Sequence, residues 1–324
     1  MALRRRDVVL SAASIAAGLV GRPARAEGFP SRLVELVVPF AAGGGSDLLA
    51  RLLSEGLARR LGQPCVVVNR PGANTNVGTL AVVRAKPDGY TLLIASVGLA
   101  ANPSLYPQLG LDPLVQLAPI TLLANAPTVL VVPPGLPVGT LGEFIAYARA
   151  HPGALNFGSY GAGSGPHLAT ELFMAATGTR MVHVPYGGGG PAALAAMSNQ
   201  VQALFSSALP VLGMIRNGTL KALAIAADHR SALMPDVPTF TESGLDYNTG
   251  TWFGLLAPAQ TPRAVTATLN GVAVAVLRDA PARARIEAQG AEVVANSPDE
   301  FRAFIGEEMD RLSRVIRAAN IRLD

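Results

Sequence analysis

The chain reads as an α/β protein built from two modules, each with a mainly parallel sheet. Three observations predict this class. Strand and helix signals alternate through most of the 324 residues, the pattern of layered α/β folds. A strand running into a glycine-rich loop that opens a helix occurs three times, at Val37–Asp47, Gly158–His167 and Val184–Pro191. The segment Tyr90–Ser96 is apolar throughout instead of alternating, as in a parallel sheet covered on both faces.

The elements follow in order. Leu33–Val38 is a strand, and Ser46-Asp47 supply good helix-starting residues. The helix behind them carries Leu49, Leu52, Leu53, Leu57 and Leu61 at i, i+3, i+4 spacing, and Gly62 ends it. Cys65–Asn69 is a β-branched strand, Arg70–Asn74 a turn, and a helix runs to about Ala85. Pro87-Asp88-Gly89 turns the chain into Tyr90–Ser96. The module changes near Ala126, and Val129–Val132 follows as a strand. Helices at Thr140–Ala150, Ser164–Thr177 and Pro191–Ser198 then alternate with strands Leu155–Gly158, Met181–Pro185, Val201–Ser206 and Leu220–Ala226.

An extended segment returns at Thr249–Pro258. Helices from Pro262, Pro281 and Pro298 close the chain near Asn320, each with proline near its favoured first position. This last region has too few strands for a sheet of its own, so it is expected to pack back on the first module. The chain would then cross twice, near Ala126 and Thr249. The expected organisation is a leader at 1–26, a first lobe of 27–125 plus 250–324, and a second lobe of 126–249.

The first residues read as an export signal. Arg4-Arg5-Arg6 precede an apolar run from Val8 to Val20, too short to span a membrane, and Ala24-Arg25-Ala26 is an Ala-x-Ala cleavage site. The mature chain is expected to begin at Glu27. Arg5-Arg6-Asp7-Val8-Val9 resembles a twin-arginine signal with Val-Val in place of the usual Phe-Leu, and an ordinary secretory leader is equally compatible. The leader holds five of the 26 basic residues and one of the 22 acidic ones, so the mature chain has 21 of each. A nucleic-acid partner is not expected at zero net charge. With Cys65 as the only cysteine, no intramolecular disulfide forms. A chain of this length, half of it apolar, is long enough to be stabilised by its core.

The first glycine loop, Gly43-Gly44-Gly45, places backbone N–H groups at the start of a helix, where the dipole favours an anion such as a carboxylate or phosphate. It lacks the Lys-Ser/Thr of a P-loop and the Gly-x-Gly-x-x-Gly spacing of a dinucleotide site. Alone it also fits a tight turn that binds nothing. The second loop adds the hydroxyls of Ser159 and Ser164 and the imidazole of His167, which can donate to a carboxylate. In open α/β sheets ligands lie beyond the carboxyl ends of strands, so the three loops are expected to converge on one cleft.

Neither Ser159 nor Ser164 sits in the Gly-x-Ser-x-Gly of a serine hydrolase. The four histidines are scattered without metal-ligand spacing, and no cofactor is expected. His151 reads as a surface helix-end residue, His183 as a structural hydrogen-bonder, and Trp252 as hinge or core packing.

Several segments, in order, resemble the Bug (TctC-type) family of extracytoplasmic solute receptors of tripartite tricarboxylate transporters. They are Val37-Val38-Pro39-Phe40-Ala41-Ala42-Gly43-Gly44, Asn69-Arg70-Pro71-Gly72-Ala73, Pro87-Asp88-Gly89-Tyr90-Thr91-Leu92-Leu93, His167-Leu168-Ala169 with Glu171-Leu172-Phe173, and His183-Val184-Pro185-Tyr186. Pro235-Asp236-Val237-Pro238-Thr239, Glu242 with Gly244, and Gly254-Leu255 with Ala257-Pro258 extend the match over nearly all of residues 33–270.

The resemblance implies a two-lobed periplasmic-binding-protein (Venus-flytrap) fold that closes on a small carboxylate. It implies a ligand held largely by backbone groups and water, a monomeric receptor, and membrane subunits of a tripartite transporter as partners. By position it carries over Ala41, Ala42, Gly43, Ser46, Asp47 and Ser96 on the first lobe. On the second lobe it carries over Ser159, Ala162, Ser164, His167, Tyr186 and Gly188. Where family members often have Asp after the strand ending at Phe205, this chain has Ser206. Serine cannot pair ionically with a ligand ammonium, so the expected ligand is a carboxylate without an amino group. An exported α/β hydrolase and a ligand carrier for a signalling ectodomain are the alternative readings.

Overall fold

The computed structural model describes residues 28–318 and 321; the expected leader and its cleavage site lie outside them. Ten strands form one continuous mixed sheet with two wings. In the first wing, β1 (Val34–Val38) pairs in parallel with β2 (Cys65–Asn69) and β3 (Thr91–Ala95). In the second, β5 (Asn156–Ser159) pairs in parallel with β6 (Val182–Pro185) and β7 (Ala203–Ser207). The wings are joined by the long β4 (Leu117–Val132), of which only the end was expected as a strand. Prolines at 119 and 127 and the lack of alternation hide it locally; register shifts at Pro119/Thr121 and Leu122/Ala124 accommodate the irregularity.

The first part of β4 lies antiparallel to β9 (Gly250–Pro258), and its end lies antiparallel to β7 and β8 (Lys221–Ile225). A short β10 (Glu292–Val293) also pairs with β4. Both connections between wings therefore run side by side, where Pro127 faces Gly250 and the Thr128 N–H donates to the Thr249 carbonyl. The wings are thus joined through a pair of adjacent strands.

Helices α1 (Gly45–Leu61), α2 (Asn76–Val83) and α3 (Val97–Leu105) cover the first wing, and a short α4 (Pro113–Gln116) leads into β4. Leu49, Leu53 and Leu57 of α1 are buried beside Val34, Leu36 and Val38 of β1. The second wing carries α5 (Leu141–Ala150), α6 (Gly165–Thr177), α7 (Gly189–Met197) and α8 (Leu212–Arg216). Phe144, Phe157, Phe173, Phe205 and Phe240 fill its core. The last helices, α9 (Arg263–Arg278), α10 (Ala280–Glu287) and α11 (Pro298–Ala318), pack on the first wing. There Trp252 is buried against Phe301 and Phe304, and its Nε1 donates to Glu308. Among the described residues no helix is long and apolar enough to cross a membrane.

Candidate functional site

Four helices start at the space between the wings. Their N-terminal boundary residues are Gly44 for α1, Ser96 for α3, Ser164 for α6 and Gly188 for α7, and no side chain caps any of the four. Of the remaining helices, α5 carries a reciprocal capping box of Thr140 and Glu143 and α11 equivalent bonds between Ser297 and Glu300, while α2, α8, α9 and α10 also start without a side-chain cap. The four starts face each other in pairs. A methyl on Gly44 would stand 3.2 Å from the Gly189 nitrogen, and one on Gly165 would stand 3.3 Å from Val97. Three of these partially positive ends, those of α1, α3 and α7, line one space, and the α6 start lies beside Val97 of α3.

The loops are held from behind by polar side chains. The Asp47 carboxylate accepts from the Gly43 N–H (3.0 Å), from Asn69 (3.0 Å) and from both arms of Arg51 (3.0 Å each). Burial pushes its pKa up, but these hydrogen bonds outweigh it and hold the group below the ordinary carboxylate range. On the second wing, the Ser159 hydroxyl donates to the Gly161 carbonyl and accepts from the Gly161 N–H, and His183 Nε2 lies 2.6 Å away. That pattern is satisfied with the imidazole proton on Nε2. The His183 ring stacks on His167 and Phe157, and His167 Nδ1 accepts from the Gly163 N–H at 2.9 Å. The other His167 nitrogen faces Glu171 at 3.5 Å.

The predicted residues consequently divide into groups. Ser46 and Ser96 line the enclosed space between the lobes, with Phe40, Tyr160, Gly189, Ser207, Thr251 and Phe253. Ala41 and Gly188 meet across it, where the Ala41 N–H donates to the Gly187 carbonyl at 2.8 Å. Ala42 and Gly43 are exposed at its rim, and Ala162 lies half-buried in the second loop. Ser164 is buried at the start of α6, and its hydroxyl has no hydrogen-bond partner among the described residues. Tyr186 is half-buried beside Gly158. Asp47, Ser159 and His167 have their polar atoms committed to the loops themselves. Ser206 donates to the Ser207 carbonyl and lies 2.6 Å from the Tyr160 hydroxyl.

Sequence reasoning missed Ser207, Tyr160, Thr251, Phe253 and Phe40. The Ser207 hydroxyl is buried without a partner among the described residues, and a methyl on Gly45 would lie 3.3 Å from it. Adjacent strand residues point to opposite faces, but Ser206 and Ser207 are both fully buried, so alternation gave no way to choose between them. Tyr160 sits inside the second loop and was legible by position. Thr251-Trp252-Phe253 reads as an ordinary strand, and its place at the cleft comes only from the hinge.

A larger cavity of about 1000 Å³ lies on the other side of the β4–β9 hinge, lined by Ala126, Asp228, Arg230, Thr249, Trp252 and Arg311 among others. No helix starts there. Its two arginines are engaged, Arg230 with Glu242 and Arg311 with Glu308. The smaller interlobe space, lined by the starts of α1, α3 and α7, is the candidate site.

Two lobes on a paired-strand hinge, with helix starts facing a shared cleft, define a periplasmic-binding-protein fold. Within that class the chain belongs to the TctC family, the tripartite tricarboxylate transporter family receptors, whose pattern it matches over residues 49–321. It is 37% identical over 312 residues to protein BugT of Bordetella pertussis, covering 95% of this chain and 96% of that protein. An adipate-bound protein of R. palustris superposes with a TM-score of 0.88 at 33% identity, covering 91% of this chain and 99% of the other. Malate-bound MatC of Rhodopseudomonas palustris superposes with a TM-score of 0.85 at 34% identity, covering 89% and 100%.

Proposed function

We propose that this protein is an exported receptor that captures a small organic carboxylate lacking an amino group. It would close lobes 27–125 plus 250–324 and 126–249 around the ligand and deliver it, as a monomer and without catalysis, to the membrane subunits of a tripartite tricarboxylate-type transporter. The observation that carries this reading is the convergence of uncapped helix starts, three of which line the interlobe space. Opposed positive ends repel one another across the cleft, and an anion between them relieves that repulsion. The N–H groups of residues 42, 44–46, 96 and 162, with those of 187 and 188, are the donors, aided by the hydroxyls of Ser46, Ser164 and Ser207; the N–H groups of Ala41, Gly43, Gly163, Ser164 and Tyr186 are spent within the protein. Asp47, Ser159, His167 and Ser206 set the loops that present these donors.

The absence of an amino group in the ligand rests on charge. Among the described residues no acidic side chain lines the enclosed space, and the nearby Asp47 carboxylate already accepts four hydrogen bonds. A ligand ammonium would be desolvated there without an ionic partner. Adipate and malate, carried by two similar proteins, share this chemistry. The hydrolase alternative is disfavoured because neither Ser159 nor Ser164 sits in Gly-x-Ser-x-Gly.

The test is a thermal-shift panel of di- and tricarboxylates, hydroxy acids and acidic amino acids, run on the wild type and on Ser207→Ala. Carboxylates without an amino group are expected to raise the melting temperature. Ser207→Ala is expected to weaken binding while leaving unliganded stability within about 0.5 kcal/mol, since its hydroxyl has no partner to lose. A response to amino acids alone overturns the amine-free reading, and no response to any acid overturns carboxylate capture.

A further inference from the structure

We infer that the glycines of the first and third loops form a closure seam, in which Gly44 and Gly190 are positioning residues that set how closely the two lobes meet. The seam is made of backbone. The Ala41 N–H donates to the Gly187 carbonyl at 2.8 Å, the hydrogen bond that ties the first loop to the third. Around it, main chain lies directly on main chain. A methyl on Gly190 would stand 3.0 Å from the Ala42 carbonyl oxygen and 3.2 Å from the Gly43 carbonyl carbon. A methyl on Gly44 would stand 3.2 Å from the Gly189 nitrogen and 3.6 Å from that of Gly190. Each obstacle belongs to the opposite lobe, and backbone cannot swing aside as a side-chain tip can.

Conformation separates these two glycines from their neighbours. Gly43 and Gly188 have φ of +83° and +155°, which L side chains rarely adopt, so a turn alone explains them. Gly44 is extended, with φ −85° and ψ 173°, and Gly190 lies in the first turn of α7. Both backbones accept alanine readily. What excludes a side chain at Gly44 and Gly190 is the facing lobe. They matter for the closed arrangement and not for the fold of either lobe.

This inference rests on the two-lobed clamp reading, and its test needs no ligand. The probe is the exchange rate of the Ala41 amide, followed by NMR in the full mature chain. In the wild type this amide is expected to be protected by its bond to Gly187. Gly190→Ala is expected to speed its exchange several-fold, and Gly190→Leu by about tenfold or more, as the closed population falls. Gly44→Ala should act in the same direction. The control is Gly142→Ala on α5, where an added methyl meets nothing within 4 Å and exchange should stay at the wild-type rate. Amides of β1 should keep their protection in every variant, which reports that the lobes are folded. An unprotected Ala41 in the wild type, or wild-type protection in Gly190→Leu, overturns the seam. Failure of the carboxylate reading would appear instead in the acid panel on the wild type and would leave the exchange result standing.

Discussion

At Gly254 the chain has no space for one more carbon. A methyl there would fall 2.0 Å from the Phe301 ring, and Phe301 is completely buried. Gly254→Ala is therefore expected to destabilise the protein by about 1–3 kcal/mol, measured by denaturant unfolding. Gly271→Ala, on a face of α9 where an added methyl meets nothing within 4 Å, is expected to stabilise by about 0.5–1 kcal/mol. His183 gives a residue-scale prediction of another kind. Burial and the neighbouring His167 push its pKa down to about 4, with Glu171 opposing them. The native state thus resists protonating this ring, whereas the unfolded chain protonates it near its ordinary pKa of about 6.5. Its contribution is fully present above that ordinary value and is lost as pH falls from about 6.5 towards 4, by at most about 3 kcal/mol. Melting temperature against pH should show this fall, and His183→Gln should have the shallower slope.

The element that matters most is the strand–loop–helix unit from β1 to α1. Three glycines leave the loop without side-chain contacts of its own, and Asp47 supplies what it lacks by bonding Gly43, Asn69 and Arg51 together. Asp47→Ala is expected to cost about 1.5–3 kcal/mol, the range for hydrogen bonds to a charged group, and to weaken ligand binding further by loosening Gly43–Ser46. Calorimetric unfolding and titration with a responding acid would measure the two effects. Most of this unit is visible in the sequence, since apolar strand, glycines, helix-starting Ser46-Asp47 and spaced leucines are all local signals. What Asp47 does was not visible, because its partner Asn69 is 22 residues away and reaches it only across the β1–β2 pair.

For the whole molecule, the hinge turns local binding into global stability. A ligand held by both lobes binds the folded, closed chain and not the unfolded one. At a free concentration of 100 times its Kd it should add about 2.7 kcal/mol, enough to move a thermal midpoint by several degrees in a chain of this size. The β4–β9 pair makes this possible by letting two wings share one strand while keeping separate cores on either side. The cores do meet at the cleft: Tyr160 and Leu209 of the second wing pack with Phe40 and Phe253 of the first. This contact between the wings hides apolar surface as well as helix ends.

The sequence by itself determined the alternation of strands and helices, the glycine loops, the family and the absence of a disulfide. All of these are written in short-range periodicity, residue chemistry and ordered motifs. Only the tertiary structure decided which hydroxyl reaches the cleft, Ser207 in preference to Ser206, and that His167 and Ser159 brace a loop from behind. It alone revealed β4 as a strand shared by both wings, and it set Gly44 and Gly190 against the opposite lobe. Each of these depends on a contact between residues far apart in the chain, and local pattern carries no record of what a side chain or a bare backbone will face after the lobes come together.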